Sequence, residues 1–166
     1  MKKTTIIFLV SLAILLISGG YTIKSIQLKQ NCTGYLKRAA NATTTETALE
    51  EIKKATAYLE SKDLTKGFTS AIYETPSENI GYWYDNLKDA EKELSQVNDK
   101  TTSLEKSNLL LKLRENLLQS GKNGDSVIYP TGLAVYPNNL LVGTFLILSI
   151  LSLVVLSCVY TSGYND

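Results

Sequence analysis

The densest run of chemically capable side chains lies between residues 68 and 89. Phe68, Tyr73, Tyr82, Trp83 and Tyr84 stand there among Glu74, Glu78, Asp85 and Asp89. Aromatic faces beside carboxylates can hold an organic cation, and Tyr and Trp are over-represented at binding hot spots. On that reading Tyr73, Tyr82, Tyr84 and Asp85 are the ligand or partner contacts. A structural reading competes with it and is the expected one. Trp83 falls on the apolar phase of a helix seam, and carboxylates near a helix N-terminus are stabilised by the macrodipole.

Catalytic chemistry has little to work with. Histidine is absent, which removes the commonest general base and the commonest transition-metal ligand. Cys32 and Cys158 are the only cysteines, so neither a disulfide framework nor a thiolate cluster can form. Cys32 is expected to be a small buried residue, with a dimer disulfide as the alternative. No phosphate loop or nucleophile motif occurs. The expectation is a protein that is not an enzyme and uses no cofactor or metal. With 17 basic and 16 acidic residues the net charge is +1, which does not point to nucleic acid.

The elements that must position the aromatic run are helices. Residues 75–120 read as one helical hairpin. Thr75, Pro76 and Glu78 form a start signal of capping-box type. Ile80, Trp83, Leu87, Ala90, Leu94 and Val97 then alternate by three and four, the spacing of a packed seam. Asn98 and Asp99 interrupt the run, and Thr102 with Glu105 supplies a second capping box. Leu104, Leu111 and Leu118 repeat at seven, and Gly121 stands where a C-cap belongs. Upstream, residues 24–41 carry a stripe of Leu28, Cys32, Tyr35, Ala39 and Ala42. Residues 45–61 carry another of Ala48, Leu49, Ile52, Ala55 and Leu59, with Glu50 and Glu51 placed on the outer side. Residues 62–74 form the long connection.

Two apolar runs flank these helices. Residues 4–23 are uncharged and long enough to cross ~30 Å of hydrocarbon as a helix. An uncleaved signal anchor is expected, with a cleavable signal peptide as the rival. Residues 140–160 form a second uncharged run of similar length. Tyr21, Tyr129, Tyr136 and Tyr160 flank the runs and suit the headgroup layer. The expected organisation is therefore a transmembrane helix at 1–23 and a helical bundle at 24–120. An irregular linker at 121–138, a second transmembrane helix at 139–160 and a short tail at 161–166 follow.

The fold class expected is all-α: two transmembrane helices flanking an antiparallel, up-down-up-down bundle with coiled-coil-like packing. Lys2 and Lys3 favour an inward N-terminus, which places the bundle outside the cytoplasm. This layout resembles the extracytoplasmic sensor region of bacterial chemoreceptors and sensor kinases, which also set a helical bundle between two membrane helices. The resemblance implies ligand sensing at the bundle, but only residues 161–166 follow the second run. Any signal would then pass through a partner. The function expected is an accessory or assembly subunit of a membrane complex, in plasma or inner membrane. Its partners are the lipid bilayer and other membrane subunits or a second copy of itself. The alternative is a sensor-like receptor for a small ligand.

Overall fold

The computed structural model describes residues 3–122 and 124–162. The chain is mostly helical, with one small two-stranded sheet. Helix α1, Lys3–Leu28, runs through a π turn, Lys29–Thr33, into α2, Gly34–Ala40. After a short turn come α3, Thr45–Ser61, and a long connection to α4, Ile80–Ser95. Helix α5 spans Ser103–Leu117, and the strands β1, Leu118–Gly121, and β2, Gly124–Val127, follow it directly. Helix α6, Asn139–Ser162, packs back against α1. Within α1, π turn and α2, Phe8–Ala40 is one helix long and apolar enough to cross a membrane.

Local signals account for where these helices begin. Thr102 and Glu105 form the capping box in full, Thr102 accepting from the Glu105 amide and Glu105 accepting from the Thr102 amide. Thr44 caps α3 by accepting from Thr47 N–H. The start of α4 differs from expectation. Residues Pro76–Glu78 make only a 3-10 turn, and Asn79 is the cap, its side chain accepting from Tyr82 N–H at 2.9 Å. The reason is a bridge from the preceding connection. Thr69 N–H donates to Glu78 O and Ile80 N–H to Gly67 O, which holds Asn79 extended and delays the helix. Gly67 makes this possible with φ +98°, in the left-handed region that favours glycine, and the Tyr136 hydroxyl occupies the place of a Cβ.

Core packing follows the stripes in α3 and α4. Ala48, Ile52, Ala55 and Leu59 are fully buried on α3, and Ile80, Trp83, Leu87 and Leu94 are buried on α4. Each buried large aliphatic side chain is worth about 1.5–3 kcal/mol in transfer terms. Three expectations fail. In α2, Leu36 and Ala40 are buried while Tyr35 is only partly so, because the π turn adds a residue and rotates the face. Glu51 is not on the outer side: it is 2 % exposed, with Lys54 Nζ and Arg38 Nε each 3.1 Å from its carboxylate. In α5 the seven-residue repeat points the wrong way. Leu104 and Leu111 are exposed, and Leu113 and Leu117 are the buried pair.

The end of α5 is also a correction. Gly121 caps no helix: Leu118 leaves α5 in extended conformation and pairs with Val127 across the hairpin. The irregular segment therefore begins only after Val127. Asp125 anchors the hairpin to the helices. It accepts from Arg114 at 2.8 Å and Ser120 at 2.9 Å, while its backbone carbonyl accepts from Lys37.

Candidate functional site

The helices are not paired evenly. Close contact joins α2 to α3, α3 to α4, and α2 to α5, whereas α4 and α5 approach each other little. Because α4 leans on α3 and α5 leans on α2, a wedge remains between them. It forms a cleft of ≈ 690 Å³. Its floor is Trp83, Leu87, Leu113 and Leu117. One wall is the α4 row Tyr82, Asn86, Asp89 and Glu93, and the other is Lys112 and Asn116 of α5. The segment after β2, with Ile128, Tyr129 and Thr131, closes the lower end.

Two links hold the wedge at a set opening. At the far end Lys112 Nζ lies 2.8 and 2.9 Å from the two carboxylate oxygens of Glu93. At the lower end Trp83 Nε1 donates to Ile128 O at 3.0 Å. The rim carries three carboxylates, Glu78, Asp89 and Glu93, against the single cation Lys112, so its balance is acidic. Asn86, Asn116 and Gln119 add neutral hydrogen-bonding groups.

The sequence-derived contact residues are separated by the fold. Tyr82 lines the cleft and is 67 % exposed. Tyr73 is 79 % exposed on the long connection and does not line the cleft. Tyr84 turns to α3, where its hydroxyl donates to Glu60. Burial, followed by this hydrogen bond, pushes the Tyr84 phenol up to about 12. The same bond, ahead of the Lys88 charge, holds Glu60 below the usual carboxylate range. Asp85 is exposed on the flank of α4.

Of the tyrosines placed near the apolar runs, Tyr21 and Tyr129 line a second cavity together and Tyr136 lines a third. The side chain of Tyr160 lies outside the described residues. Cys32 is fully buried, and burial pushes its thiol up to about 12. That is the buried reading of Cys32, and it removes the thiol from reach of a dimer partner.

Asp89 was named among the carboxylates of the aromatic run but not as a contact, and Asn86 and Glu93 were not singled out from sequence. The signal was present: with Tyr82 they step by four, three and four, a polar row beside the seam. Lys112, Asn116 and Tyr129 had no such signal, because only the packing of α5 on α2 brings them opposite that row. Among the described residues no three Asp, Glu or Cys side chains converge as a metal site would require. No protein-family model matches the chain, and no curated protein or solved structure matches it.

Proposed function

We propose that the protein is a two-pass membrane protein with a non-catalytic helical domain outside the cytoplasm, serving as an accessory or assembly subunit of a membrane complex. The partner subunit engages the α4–α5 cleft with an amphipathic helix. One observation carries this reading: two neighbouring helices are held apart over an apolar floor with a polar rim, the form of a helix-in-groove site. The second span is supported by α6, 24 residues or ~36 Å long, whose Leu141, Ile147, Leu148 and Ile150 are exposed. Side chains of that kind have a ready environment in lipid. On α1, Phe8, Leu15 and Leu16 are exposed in the same way. The antiparallel four-helix arrangement of the bundle belongs to the same proposal.

The test blocks the cleft without touching its floor. Asn86→Lys and Asn116→Lys, together, should abolish copurification of the partner in mild detergent while the melting temperature holds. Partners retained by the blocked variant would place the contact elsewhere.

A second reading has its own support. The cleft volume lies within the range of about 300–1,000 Å³ typical of small-molecule sites, and its acidic rim stands beside Tyr82 and Tyr129. A receptor for an organic cation would use that pairing. A ligand-dependent rise in melting temperature of the purified chain, with no partner present, selects this reading over the first.

A further inference from the structure

A different part of the molecule, at the base of α1, sets two lysines on one cavity. A cavity of ≈ 210 Å³ lies there between α1 and the C-terminal end of α3. Lys24 enters it from α1 and Lys62 from the residue that ends α3, with the phenols Tyr58 and Tyr136 beside them. No carboxylate lines the cavity. Among the described residues neither lysine makes an ion pair. An anion lodged in the cavity would be attracted by both ammonium groups. The apolar side of α1 begins immediately below: residues 4–23 have no charge, and Ile23 is exposed.

We propose that this cavity binds the phosphate headgroup of an anionic phospholipid, with its acyl chains lying along α1. A lysine ammonium is a point-charge partner for phosphate, and tyrosine hydroxyls favour the headgroup layer. Basic pockets at the ends of membrane helices hold acidic headgroups for the same reasons. The inference rests on the reading of α1 as a membrane span.

The experiment uses the full chain in nanodiscs of phosphatidylcholine containing phosphatidylglycerol, with native mass spectrometry of the lipids retained. Wild type should retain phosphatidylglycerol over phosphatidylcholine about tenfold or more, the scale of two lysines at an anionic surface. Lys24→Gln with Lys62→Gln should bring retention near parity. Lys53→Gln with Lys92→Gln removes the same charge from exposed positions elsewhere and should leave the preference intact. Equal loss in both double variants would reduce the effect to net charge and overturn the site. Inorganic phosphate alone, added to the protein in neutral detergent, should give no stabilisation. Stabilisation that depends on the two lysines would show a free-phosphate site and overturn the lipid assignment. Alkaline extraction of membranes separates this failure from that of the span. A chain that stays in the membrane but shows no lipid preference refutes the headgroup site alone.

Discussion

Trp83 Nε1 donates to the carbonyl of Ile128 at 3.0 Å and so ties α4 to the segment that leaves the β-hairpin. These residues are 45 apart in the chain and together close the lower end of the cleft. The bond also gives the indole a structural role beside its place in the seam. Trp83→Phe keeps an aromatic ring in the seam but loses the donor with the pyrrole half of the indole, and should cost about 1–3 kcal/mol. Trp83→Ala should cost ~3–5 kcal/mol through the lost core volume. Denaturation curves of the two variants measure both. Equal costs would mean that the hydrogen bond, not the ring, supplies the stability.

Glu51 is buried between Arg38 and Lys54, which are themselves largely exposed. Removing both cations leaves a carboxylate uncompensated in the core, at a cost of roughly 3–5 kcal/mol. Glu51→Leu should instead be near neutral or stabilising, since an apolar side chain of similar size avoids the desolvation penalty. The order of the two melting temperatures decides the matter, and a strongly destabilised Glu51→Leu would refute it.

Gly34 donates its backbone N–H to Lys29 O to close the π turn, and a Cβ there would sit 2.6 Å from that same oxygen. Gly34→Ala must therefore shift backbone rather than a flexible side chain. The expected loss is about 1–3 kcal/mol, with Leu28, Cys32 and Leu36 moving out of phase. Native-state hydrogen exchange should show the loosened protection concentrated in α2.

Tyr84 and Glu60 make stability depend on pH at both ends of the scale. Tyr84 has its folded value raised to about 12, so its contribution is complete below the ordinary value of 10 and is lost as pH rises between 10 and 12. Glu60 is lowered, so its contribution is present above the usual carboxylate range and is lost as pH falls through its folded value. Tyr84→Phe should flatten the alkaline limb of a stability profile and weaken the acidic one. An unchanged alkaline limb would exclude Tyr84 as its source.

Cys32 should be unreactive in the native protein. Its thiol is fully buried and held near 12, so almost no thiolate exists at pH 8. A polar maleimide should label it only after denaturation. Rapid native labelling would mean that the contact of the π turn with α3 opens readily.

What the sequence determined by itself was local. The capping box at Thr102 and Glu105, the seam of α4 and the uncharged run of α1 each depend on residues a few positions apart, and each appears where the pattern puts it. The place of Tyr82 beside that seam, where it lines the cleft, was legible for the same reason. Tertiary structure decided what required a choice of neighbour. The repeat of Leu104 and Leu111 was a real periodicity. Yet the face that α5 buries is that of Leu113 and Leu117, because helix phase alone does not say which side meets a partner. Glu51 could be buried only because Arg38, 13 residues away on α2, comes to meet it. The cleft itself exists because α4 leans on α3 and α5 on α2, and no spacing within either helix encodes a gap between them.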